Sequence, residues 1–279
     1  MKSLFSTYKS LIVAAFATAS LSSCALEVVN PPVQAQLMVV NLAPAASSAT
    51  VGVPSLQISV DNVNILSDSL RNNALLGYIG FDAGTRNVKL TARNNNSRFN
   101  ITAGKEYGNF SYNGVVGEYT SAFLIPSVAT NDRFEVITGK DNITRPAAGS
   151  ANVRFVHAVP NVAEVDIWLS AGPSVPAADS ARIYRNPIVR GVKFKDISNF
   201  ITLPAVPVTT GTPLPPRQNY TFVVRAAGST ATSPAISTIV ANSTSTANSS
   251  TTPHILESTR VMTIAITGAT TRLSILNDR

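Results

Sequence analysis

The chain has 279 residues and a formal net charge of +7, yet only 13% of its residues are charged. The basic residues are scattered: the closest grouping is Arg190, Lys193 and Lys195, flanked by Arg182 and Arg185. A nucleic-acid binder gathers its charge into a stripe or a basic helix, so that class is excluded. An apolar fraction of 44% excludes wholesale disorder.

The N-terminus carries Lys2 and Lys9, then an apolar run from Leu11 to about Ala19, then Leu21-Ser22-Ser23-Cys24. A charged segment, a short apolar segment and small residues before a cut describe a secretory signal peptide over residues 1–23. The run falls short of the ~20 residues that span a bilayer. Leu-Ser-Ser-Cys resembles the bacterial lipobox, in which the thiol is diacylated and the chain is cleaved before it. Cys24 is therefore the expected lipid attachment site, and two acyl chains hold a protein firmly on a membrane. Cys24 is also the sole cysteine, so no disulfide is available and stability must come from packing. Cleavage leaves 256 residues with a charge of +5, a length that suggests two domains.

Residues 24–34, with Pro31-Pro32, read as a lipidated tether. Beyond it the sequence alternates. Leu56, Ile58 and Val60 share one parity, as do Val88, Leu90 and Ala92; Val153, Phe155 and His157; Val165, Ile167 and Leu169; and Tyr220, Phe222 and Val224. Period-two runs bounded by Gly, Pro, Asn and Asp predict half-buried strands, with tight turns at Asp61-Asn62 and Ser170-Ala171-Gly172. No helical periodicity follows the signal peptide, so the fold is expected to be all-β. The prolines of 204–216 exclude a central strand there, and the polar stretch 241–253 reads as a mobile loop.

An ordered internal repeat divides the chain. Residues 37–47 match 153–163, placing Asn41 opposite His157, and 56–62 match 165–171. Further on, 105–114 are set against 259–268 and 119–128 against 271–278. The expected organisation is a β-sandwich at 35–130, a linker at 131–149 and a second β-sandwich at 150–279. Within it, SANVRFVHAVPNVAEVDIWLSAG at 150–172 resembles the opening of the bacterial domain of unknown function 4397. The resemblance is looser in the first copy, where Leu56-Gln57 replaces Val165-Asp166, and insertions at 205–217 and 241–253 interrupt the second. It implies tandem immunoglobulin-like antiparallel sandwiches exported to bacterial envelopes, and it brings no activity or catalytic residues.

Candidate chemistry is sparse. His157 could act as a base only with Asp166 across its hairpin and a nearby serine, and no nucleophile elbow accompanies them. A structural hairpin role for His157, Asn41 and Asp166 is expected instead, because Asn and His both hydrogen-bond but only His is a base. His157 and His254 have no close ligand partner, and Asp132, Glu135 and Asp141 lack calcium-loop spacing, so no metal is expected. Gly77 to Gly80 is too short for a phosphate loop, so no cofactor is expected either. Trp168, the sole tryptophan, lies on the outward parity of its strand and is the candidate ligand-binding residue.

These observations lead to a non-catalytic, lipid-anchored envelope protein, placed at the outer membrane, presenting sandwiches to a glycan, an envelope polymer or a protein. A structural spacer or assembly component is the alternative, and an envelope-polymer hydrolase comes third.

Overall fold

The computed structural model describes residues 34–42, 55–65, 70–71, 74–95, 102–127, 134–171, 186–205, 220–230, 233–240, 258–267 and 272–276. The signal peptide, Cys24 and the tether as far as residue 33 lie outside them, as do residues 206–219 and 241–257, which take in nearly all of the two insertions. Among the described residues there are strands and no helix. The first eight strands are β1 (Ala35–Asn41), β2 (Leu56–Val60), β3 (Val63–Asn64), β4 (Ala74–Phe81), β5 (Gly84–Ala92), β6 (Glu106–Gly114), β7 (Tyr119–Pro126) and β8 (Phe134–Asp141). The next eight are β9 (Ser150–His157), β10 (Glu164–Ala171), β11 (Val189–Lys193), β12 (Ile201–Pro204), β13 (Tyr220–Ala226), β14 (Ser237–Val240), β15 (Val261–Ile266) and β16 (Arg272–Leu276).

The strand order repeats with an offset of eight. Sheets β4-β1-β7-β8 and β3-β2-β5-β6 make one sandwich; β12-β9-β15-β16 and β11-β10-β13-β14 make the other. Alternation explains the outer sheets. Leu56, Ile58 and Val60 of β2 and Val88, Leu90 and Ala92 of β5 are buried, and their intervening residues reach solvent. Between β2 and β3, Asp61 and Asn62 both take positive φ (49° and 65°), the left-handed pair that a tight hairpin turn requires. Pro204 ends β12 at a sheet edge, where a missing N–H does no harm.

Three expectations need correction. The stretch read as a linker contains β8, which pairs with β7 along its whole length; Phe134 and Val136 face the first core, so the connection shrinks to 142–149. The sheets are not purely antiparallel, because β1 pairs with β7 and β9 with β15 in parallel. Each pair joins the first strand of a sandwich to a strand reached by crossing from the outer sheet, and both members start at the same end. The repeat also slips late in the chain. Residues 105–114 form β6 and 119–126 form β7, whose counterparts by topology are β14 and β15 rather than 259–268 and 271–278. The cause is β14, only four residues long and lacking the alternation that marks a strand.

The central strands of the inner sheets, β1, β7, β9 and β15, are buried on both faces along most of their length. Leu37, Val39, Ala122 and Leu124 fill the core of the first sandwich. Their alternates Met38, Val40, Phe123 and Ile125 pack on Val156, Ala158 and Ala265 of the second. The second sandwich has its own core, with Phe155 and Phe222 edge to face at 5.2 Å between ring centres. The two sandwiches thus stack face to face, giving four layers. Arg154 on β9 reaches Lys140 and Asp141 of β8, and Lys195, paired through its backbone with His157, reaches Glu135. Strand β9 therefore runs back along β8, in the same sense as β1.

Candidate functional site

His157 ends β9 and is fully buried. Its Nδ1 accepts the Val159 N–H (3.3 Å), which places the ring proton on Nε2, and Nε2 donates to the Val162 carbonyl (3.0 Å). Both nitrogens are engaged with the turn that follows, and Phe194 meets the ring edge on. Asn41 is buried at the equivalent place: it lies opposite Leu124 of β7, as His157 lies opposite Ile266 of β15.

Burial holds the His157 imidazole below the usual histidine range, against smaller upward pulls from the Val162 carbonyl and the Asp196 charge. As pH falls through ~6.5 the unfolded chain takes up a proton that the folded chain refuses. Stability is complete above that pH and declines below it. We expect the melting temperature to fall between pH 7.5 and 5.5, and the His157→Asn variant to show a flatter profile over that window. The variant should also lose about 1–2 kcal/mol at neutral pH, as the bond to Val162 goes. Parallel profiles for the two proteins would assign the slope to other groups.

Asp166 does not meet His157. Its Oδ1 accepts the Gly191 N–H (2.9 Å) and its Oδ2 the Gly228 N–H (3.0 Å), fastening β11 and the turn after β13 onto β10. The acid and base that a catalytic relay would couple are each committed to separate backbone groups. Ser198 is occupied too, accepting from the Phe155 N–H and donating to the Asn199 carbonyl.

Trp168 corrects a further expectation. Its parity is outward as the pattern required, since Ile167 and Leu169 face the core, but the residue is only 5% exposed. Parity tells which side of a sheet a residue takes, not whether that side is covered. The Arg225 guanidinium lies 5.7 Å from the ring centre, and the indole N–H has no acceptor among the described residues. A buried ring offers no recognition surface.

A feature that the sequence did not announce lies between the sandwiches. Arg154, 2% exposed, forms an ion pair with the fully buried carboxylate of Asp141. Its Nε donates to Thr263 Oγ1 and its Nη1 to the Lys140 carbonyl, both at 2.9 Å. The other Asp141 oxygen accepts from Tyr78 (2.7 Å) and Ser121 (2.6 Å), and the Phe200 ring covers the guanidinium. Five residues from four strands and a loop therefore complete one polar knot beside the apolar interface. The local signal was a lone arginine within the apolar run of β9.

Beside the knot, a polar cleft of about 290 Å³ is bounded by Gly139, Lys140, Lys195 and residues 196–199. An added Cβ on Gly139 would sit 2.6 Å from Ile197 Cδ1, the far end of a side chain that would have to turn aside. Lys195 pairs with Glu135 at 2.6 Å, which holds that carboxyl below its ordinary range, and Lys140 pairs with Glu118. The cleft's cations are thus already balanced. Among the described residues, no group of three His, Cys, Asp or Glu side chains could hold a metal ion.

The fold defines the class as an all-β pair of stacked sandwiches. Residues 35–168 match the model of a family described as a domain of unknown function, DUF4397. The match begins with β1 and ends within β10, taking in the whole first sandwich and the opening of the second. No curated protein matches the chain. Among solved structures, a "putative adhesin" from Bacteroides ovatus aligns over 84% of this chain and 88% of its own, at 12% identity and a TM-score of 0.19. A score that low lends no weight to fold or function.

Proposed function

We propose that the chain is a non-catalytic protein of the bacterial cell envelope, anchored at the outer membrane through acylated Cys24, that presents two fused sandwiches for binding or adhesion. A glycan, an envelope polymer or a protein is the ligand class. The observation that carries this reading is the face-to-face stacking with β1 and β9 in the same sense. It brings residues 93–95 and 102–105 of one half and the turn at 158–163 of the other to the end opposite the start of β1. Sandwiches commonly place recognition in such end loops. Stacking side by side adds breadth rather than length, which weighs against a spacer. The buried interface, however, also suits a rigid assembly component, and that is the second reading.

The test is a glycan and envelope-polymer binding panel on the full chain carrying Cys24→Ser. Lys105→Glu and Lys193→Glu would be tested beside it, as both lie at the far end, in different halves. Binding weakened by these charge reversals supports the display reading. A silent panel, with cell adhesion unchanged when the protein is removed, would overturn it in favour of the assembly component.

A further inference from the structure

Three large hydrophobic residues are exposed among the described residues: Val63 (65%), Val115 (44%) and Val116 (53%). Register places Val115 and Val116 at one end of the first sandwich. Val63 lies farther in, pairing with Val60 opposite Val88 in the middle of β5. Val115 and Val116 lie in the turn between β6 and β7, and Gly114 at the end of β6 pairs with Gly84 at the start of β5. The β4–β5 turn, with exposed Ala83, belongs to the same end.

The chain comes into the fold at this end too. Ala35 pairs with Phe81, the Gly117 N–H donates to the Gln34 carbonyl, and Gln36 donates to Glu118. Only ten residues, 25–34, separate Cys24 from β1. Fully extended they reach about 35 Å, so an acylated Cys24 confines this end close to the bilayer. The neighbouring charges balance: Arg86 pairs with Asp61 (3.2 Å) and Lys140 with Glu118 (2.7 Å), while Lys89, which donates to Asn62, is offset by the exposed Asp82. A partner recognised by charge would find little to hold. A bilayer interface asks only for apolar tips on a neutral rim.

We propose that the Val115-Val116 tip docks into the headgroup region of the membrane that carries the lipid anchor, seating the first sandwich upright with its opposite end facing outward. The proposal rests on the acylation of Cys24. Apolar tips add to the two acyl chains by burying further surface, and they fix an orientation that a tether alone leaves free.

The test uses the full acylated chain in vesicles of phosphatidylethanolamine and phosphatidylglycerol, with or without brominated acyl chains. Val116→Trp reports the docking end and Thr102→Trp the opposite end; the unsubstituted chain, whose Trp168 is buried, is the blank. The tryptophan placed at 116 should lose most of its fluorescence to bromine and the one at 102 almost none. Adding Val115→Asp should restore the signal at 116. Incorporation of labelled palmitate, abolished by Cys24→Ser, is measured on the same protein. Palmitate incorporated without quenching at 116 would overturn the docking alone. No palmitate incorporated would overturn the anchor, and the docking with it.

Discussion

Replacing Arg154 by Met lowers the free energy of unfolding by about 3–5 kcal/mol, read from urea denaturation. The loss comes from what is left behind. Asp141 stays fully buried, keeps its bonds from Tyr78 and Ser121, and loses the guanidinium that neutralises it. A buried carboxylate without a cation is costly, whereas an apolar pair in place of both charges is close to neutral. The double variant Arg154→Met with Asp141→Leu should therefore recover most of the loss. A residue of about 1–3 kcal/mol remains because the Tyr78 and Ser121 hydroxyls lose their acceptor. A loss below about 1 kcal/mol for Arg154→Met alone would show that water reaches the pair.

Phe123→Ala should cost a similar amount, about 3–5 kcal/mol, because a fully buried ring is removed from a face that is covered on both sides. Its consequence differs in kind. Phe123 faces the other sandwich, and the core of its own sandwich, around Leu37, Leu56 and Leu90, is untouched. Unfolding followed by calorimetry should broaden or divide into two transitions as the halves lose their coupling. One sharp transition at a lowered temperature would mean that the halves remain coupled through the polar knot and the Lys195–Glu135 pair.

The outer sheets could be read from the sequence because one of their faces meets water. Leu56-Gln57-Ile58-Ser59-Val60 and Val88-Lys89-Leu90-Thr91-Ala92 carry the alternation, and both are strands with the expected side inward. The inner strands could not be read that way. Runs such as LMVV in β1, AFLI in β7 and VMTIAI in β15 lack alternation because both of their faces are covered. Matching one uninterrupted apolar run to another would have paired β7 with β15 and avoided the slip in the repeat.

For the candidate site, the equivalence of Asn41 and His157 was legible, since a strand-end position keeps its place in the register. The covering of Trp168 was not, because parity gives the side of a sheet and not whether that side is covered. Nor was the partnership of Arg154 with Asp141. Each charge read singly belongs to a solvated surface, and only the stacking of two sheets reveals that they meet.

The shared inner face sets an order on synthesis. As the chain emerges N-terminus first, the first sandwich can close its own core once β8 has appeared. Met38, Val40, Phe123 and Ile125 must then wait, uncovered, until Ala265 on β15 arrives near the end of the chain. For that interval the nascent protein carries a sticky sheet face that could pair with another unfinished copy. Shielding that face until the last strands are out would keep unfinished copies apart.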